Sequence, residues 1–168
     1  TFLGFNMGLE KIMYGAAIFS TIAFVILNVT GNTELIENES WAIEETCLSS
    51  HSSDISHTHS NLAIFIDGAE LIPQNIGIQD ESCPNGMRGI HTHDDTGKLH
   101  IETPSQIEAP IGAFFNIWGE VFNSEQILGN VADSDYEIVM YVNGDINDEF
   151  ENYVMSNNDD IEIYYRQK

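Results

Sequence analysis

The stretch that decides the fold is IHTHDDTGKLHIE, residues 90–102. Alternating apolar and polar residues run on either side of Asp94-Asp95-Thr96-Gly97, a turn-forming tetrad rich in residues that tolerate tight backbone bends. The segment therefore reads as two strands, Gly89–His93 and Lys98–Glu102, folded into a hairpin, with Pro104 ending the second. Residues two apart on a strand share a face, so His91 and His93 point together, as do His100 and Glu102. A turn closing on residues 95–96, or on all four of 94–97, sets His91 opposite His100 with Cβ atoms about 5 Å apart. A three-residue loop would shift the register and separate the pair.

Working outward, the same pattern recurs upstream. HTH at 57–59 leads into Asn61–Ile66 (NLAIFI), an apolar strand that ends at the hairpin-turn pair Asp67-Gly68. Glu70–Ile72 continues as a short strand stopped by Pro73. Downstream of Pro110, IGAFFNIWGEVF carries Phe114, Phe115, Trp118 and Phe122 at helical spacing and reads as a core helix or buried turn. Ser124–Leu128 reads as one helical turn, and Tyr136–Val142 as a strand ending at Asn143-Gly144. Asn147–Met155 reads as a short helix capped by Asn147, and Asp160–Tyr165 as a closing strand. These elements predict an α+β fold with a mixed or antiparallel sheet and one or two short helices, following an N-terminal transmembrane helix.

That helix is the expectation for Ile12–Val29, an uncharged run between Lys11 and Glu34. Eighteen helical residues span about 27 Å, close to the hydrocarbon thickness of a bilayer. No small-x-small cleavage site follows, which argues against a removed signal peptide. The expected organisation is a short cytoplasmic N-terminus at 1–11, a membrane span at 12–30, a polar linker at 31–56 and an acidic domain at 57–168. Within the linker, Trp41-Ala-Ile43 is the apolar exception, suited to the membrane surface or to the start of the domain. Lys11 on the N-terminal side, with acidic residues beyond the span, predicts a single-pass protein of the cell membrane with its domain outside the cytoplasm.

Charge narrows the partners. The 168 residues hold 27 acidic and 5 basic side chains, for a net charge of −22, and 42% of the chain is apolar. The domain is thus foldable, and its surface repels nucleic acid. The partners that remain are membrane lipid, a larger membrane protein complex and cations. Cys47 and Cys83 sit in no close Cys-x-x-Cys pair, so a disulfide is favoured over a thiolate metal site.

All six histidines fall between His51 and His100. His57, His59, His91, His93, His100 and Glu102 are the candidate metal ligands, and Asp94 the candidate partner that orients an imidazole. Asp95 is another, and His51, in the Ser-rich linker, is the histidine least suited to the role. His57 and His59 would complete the shell if the strand after them lay beside the 89–93 strand. Imidazoles with a carboxylate suit Cu²⁺, Zn²⁺ or Fe²⁺, with copper the first choice outside a cytoplasm and zinc the close alternative. The leading expectation is a membrane-anchored metal-binding protein for capture or delivery, or an accessory subunit of a membrane metalloenzyme. A His-ligated metalloenzyme and a metal-free structural subunit are the rivals, and whether a reaction occurs stays open.

Residues 57–119 also resemble a group of uncharacterised bacterial and archaeal proteins. Their shared pattern is close to H-x-H…hTHD-x-TG-hhHhE…G-x-FF-x-hWG, where h is apolar. His57, His59, His91, His93, Asp94, Thr96, Gly97, His100 and Glu102 match it. The resemblance implies a domain type, often following a membrane segment, and no particular reaction.

Overall fold

A computed structural model describes residues 40–49, 56–103 and 107–168. The 94–97 turn closes as its chemistry demands. Asp94 Oδ1 accepts hydrogen bonds from the backbone N–H of Thr96 at 3.1 Å and from its hydroxyl at 2.6 Å. Gly97 takes the left-handed φ of 76°. A side chain there would also meet the backbone, because its Cβ would lie 2.7 Å from the Leu62 carbonyl oxygen.

The turn joins β5 (Ile90–His91) to β6 (Lys98–Thr103) in antiparallel register, with His91 opposite His100 and Ile90 opposite Ile101. On its other edge β6 pairs with the first half of β2 (Ser56–Ile66), from Ser56 opposite Thr103 to Asn61 opposite Lys98. Beyond the point where β6 starts, β2 turns back through Asp67-Gly68 into β3 (Ala69–Leu71). Along the far edge of β2 lies β11 (Asp160–Gln167), in parallel, with Asn61–Ile66 against Asp160–Tyr165. β9 (Tyr136–Val142) and β10 (Asp145–Ile146) complete the sheet, in the order β10-β9-β11-β2-β6-β5. The sheet is mixed, since only the β2–β11 pairing is parallel.

Alternation divides the sheet into two faces. Leu62 and Ile64, Leu99 and Ile101, Ile90, Met140, Ile161 and Ile163 all join one buried cluster. The helix α1 (Ile111–Trp118) covers that face, contributing Ile111, Ala113, Phe114 and Phe115. Each fully buried aromatic or aliphatic side chain contributes roughly 1.5–3 kcal/mol, so this layer dominates stability. Histidines at the alternate positions of β2 and β6 consequently fall on the opposite face.

The expected α+β balance is corrected. The described residues are mostly β, with one α-helix of eight residues and two short 3-10 turns, at Ala42–Glu45 and Phe150–Asn152. Residues 124–128 do not form a helical turn. Asn123 Oδ1 caps the N–H groups of Glu125 and Gln126, and Leu128 and Gly129 take positive φ, which yields the hairpin β7 (Gln126–Ile127) and β8 (Asn130–Val131). Asn147 caps Glu149 as its type suggests, but Phe150 at φ 47° leaves the right-handed helical region and the helix expected over 147–155 shrinks to the second 3-10 turn. No helix among the described residues is long and apolar enough to cross a membrane. The span expected at 12–30, with 1–11 before it, lies outside the described residues.

Part of the segment read as linker belongs to the folded unit. Ile43 is fully buried in the core. The Trp41 indole packs so closely on α1 that a Cβ at Gly112 would lie 2.4 Å from it. Glu44 Oε1 accepts hydrogen bonds from Trp41 N and Asn116 Nδ2, both at 2.9 Å. β1 (Cys47–Leu48) pairs with β4 (Met87–Arg88), and Cys47 is disulfide-bonded to Cys83 across 36 residues. A loop of that length stabilises by roughly 4 kcal/mol in the chain-entropy treatment. Replacing both cysteines by serine should therefore lower the unfolding free energy by up to about that amount, read as a lower urea midpoint. A midpoint unchanged by reduction would mean the cross-link does not constrain the unfolded chain.

A second lock sits at the start of β11. Asp159 is buried and accepts hydrogen bonds from Tyr153 Oη at 2.7 Å, Ser156 N at 2.6 Å and Asn143 Nδ2 at 3.0 Å. Burial alone would raise its pKa, but these donors outweigh it and hold the carboxyl below its ordinary 3.8. Its ionised form therefore contributes stability that is fully present above 3.8 and lost as the pH falls through the lower folded-state value. Asp159→Asn should cost about 1–3 kcal/mol near neutral pH. The difference from wild type should shrink in acid below 3.8, as followed by urea unfolding across a pH series.

Candidate metal centre

The register places the histidines in rows. His59 stands opposite His100 on one side of β6, and His91 opposite His100 on the other. One rung along, His57 stands opposite Glu102. Directly opposed side chains across a sheet are close neighbours, and the rings show it. The His100 centroid lies 4.6 Å from His59, 5.2 Å from His91, 4.8 Å from His93 and 5.5 Å from His57. His100 is thus the hub of five imidazoles.

Their nitrogens form two sets, His57 with His59 and His100, and His91 with His93 and His100. Within each set the ligand atoms all lie within 4.8 Å of one another. A tetrahedral ion with bonds near 2.0 Å needs donors about 3.3 Å apart. His57 Nε2 and His100 Nδ1 are 3.2 Å apart, and Glu102 Oε1 is 3.1 Å from His57 Nε2. The same oxygen lies 3.8 Å from His91 Nε2 and 3.9 Å from His100 Nδ1. Glu102 and His91 are fully buried. A carboxylate removed from water needs compensating charge or hydrogen bonds; His57 Nε2 is within hydrogen-bond reach of one of its oxygens, and His91 and His100 stand just beyond that reach. His57 and His93 are exposed, so the cluster has an open rim through which an ion can reach the buried end.

Surrounding groups orient the rings. His91 Nδ1 lies 2.9 Å from the Arg88 carbonyl oxygen. A carbonyl only accepts, so Nδ1 carries the hydrogen, and in the neutral ring Nε2, facing Glu102, keeps its lone pair. Arg88 is itself fixed, donating to Asp80 and to the Glu44 carbonyl. Burial works to raise the Asp80 pKa, but the Arg88 guanidinium and the N–H groups of Cys83 and Ser82 prevail and lower it, keeping the carboxylate ionised. On the other flank, the loop before β11 grips the strand that carries His59. His59 N donates to Asn157 Oδ1 at 3.1 Å, its carbonyl accepts from Asn158 N at 2.6 Å, and the Ser60 hydroxyl donates to the Ser156 carbonyl at 3.0 Å.

His57, His59, His91, His93, His100 and Glu102 are brought together. Their arrangement differs from expectation in one respect: β2 lies beside β6, not beside β5, so the two His-x-His pairs flank His100 from opposite sides. Asp94 sits in the turn, where its carboxylate holds Thr96, and that bonding lowers its pKa. Cys47 and Cys83 are bonded to each other. His51 lies outside the described residues. Sequence reasoning missed Arg88, Asp80 and Asn157. Arg88 carried a signal, being one of only 5 basic residues and standing three places before His91; Asn157 carried none.

No protein-family model, curated protein or solved structure matches this chain.

The Arg88 anchor yields a test. Arg88→Met keeps the length of the side chain but loses its donors. The hydrogen-bonded Nδ1–H proton resonance of His91 should disappear or shift, and affinity for a metal should fall by roughly 10-fold or more. An unchanged resonance with unchanged affinity would show that Arg88 does not position the ring.

Proposed function

We propose that this protein is an extracytoplasmic metal-binding protein that captures or delivers a transition-metal ion, with Cu²⁺ preferred over Zn²⁺. The observation that carries the reading is the row His59–His100–His91 across three strands, with His57 and Glu102 one rung along. Nitrogen-rich donor sets bind Cu²⁺ more tightly than Zn²⁺ in the general order of stability, and imidazole suits both. The disulfide supports an oxidising compartment. A net charge of −22 would concentrate cations near the surface. The open rim at His57 and His93 favours exchange of the ion over a closed structural site.

Isothermal titration of the full chain with Cu²⁺ and with Zn²⁺ tests this. Binding tighter than micromolar is expected, with Cu²⁺ ahead of Zn²⁺, and His100→Ala should weaken it by more than about 10-fold, over 1.4 kcal/mol. If neither ion binds more tightly than micromolar, the proposal fails.

A further inference from the structure

The position of His100 goes beyond a single ion site. An imidazole has two ring nitrogens that point away from each other, so one ring can face two ions at once. His100 stands on the middle strand of three. β2 brings His57 and His59 to one flank, and β5 with its turn brings His91 and His93 to the other. The two sets of nitrogens do not merge into one: each lies within 4.8 Å internally, and His100 is the member they share. Donors to a single ion with bonds near 2.0 Å lie within roughly 4 Å of each other, whereas the backbones of two strands flanking a third lie about 9.5 Å apart.

The two flanks also present their nitrogens in different ways. On the β2 side, His100 Nδ1 lies 3.2 Å from His57 Nε2, a separation suited to two donors on one ion. On the β5 side, the His91 ring stacks on His100 with planes 14° apart, and its Nδ1 donates to the Arg88 carbonyl, so Nε2 is the nitrogen that would bind an ion. The His93 ring meets both His91 and His100 edge-on, at 83° and 82°.

We propose that His100 is a bridging ligand, an imidazolate that holds one ion in the His57–His59 set and a second in the His91–His93 set. This rests on the metal-binding reading above and adds a stoichiometry and a connection between the ions. The first ion takes the lone pair of one His100 nitrogen. As the second bonds to the other nitrogen, that nitrogen releases its proton to solvent; no electron is transferred.

The test is to load the full chain stepwise with Cu²⁺ and measure bound copper by elemental analysis, with electron paramagnetic resonance at each step. Two copper ions per chain are expected. At the second equivalent the spin intensity should fall well below that of two isolated Cu²⁺ ions, because the bridge couples them. His100→Gln should restore uncoupled spectra. His57→Ala combined with His59→Ala, which alters no fully buried side chain, should bind one ion and show no coupling. Retention of one copper per chain, or of two with full uncoupled intensity, overturns the bridge and leaves metal binding intact. Failure to bind any copper overturns both.

Discussion

Everything at the candidate site depends on the register of β6 between β2 and β5. Antiparallel pairing on both edges puts His59 and His91 level with His100, and Glu102 level with His57. Side chains alternate with a period of two, so a slip of one residue in either pairing would turn a whole row toward the hydrophobic layer under α1. The register is therefore held by the same burial that stabilises the domain. Leu62, Leu99, Ile101 and Ile90 can lie in the core only if the histidines between them face the other way.

This coupling explains why much of the site was legible in the sequence. The turn at Asp94-Asp95-Thr96-Gly97 was legible, but its loop length was open between two, four and three residues; the structure's register is the one that pairs His91 with His100. The strands at 61–66, 136–142 and 160–165 were legible from dense β-branched and aromatic runs, the first two ended by Asp67-Gly68 and Asn143-Gly144. The order of strands was not. Nothing local says that β2 pairs with β6 on one edge and β11 on the other; those are long-range choices made by packing. The helices expected at 124–128 and 147–155 failed for a local reason. Asparagine side chains that cap a helix also cap a turn, and only the backbone at Leu128 and Phe150 decides between them.

Two scaffolds outside the sheet keep the rings in place, and they act on opposite flanks. The disulfide and the Asp80–Arg88 ion pair stiffen the segment leading to His91. The Asp159 network and its loop clamp the backbone at His59. Each scaffold joins parts of the chain far apart in sequence, which is why residues such as Asn157 gave no warning of their role. The histidine cluster is thus gripped from both sides and open at its rim, an arrangement that orients ligands before an ion arrives.

The parallel pairing of β2 with β11 has a consequence for the order of assembly. β11, which pairs with Asn61–Ile66 of the same strand, comes nearly a hundred residues later, and the loop that clamps His59 immediately precedes it. Contacts so distant in sequence form late and slowly, because the intervening chain must first be brought to order. While the chain is being made, the two histidine pairs emerge well before the element that fixes one of them. A nascent protein would carry its donor atoms without their geometry, and selective uptake of an ion becomes a property of the finished fold.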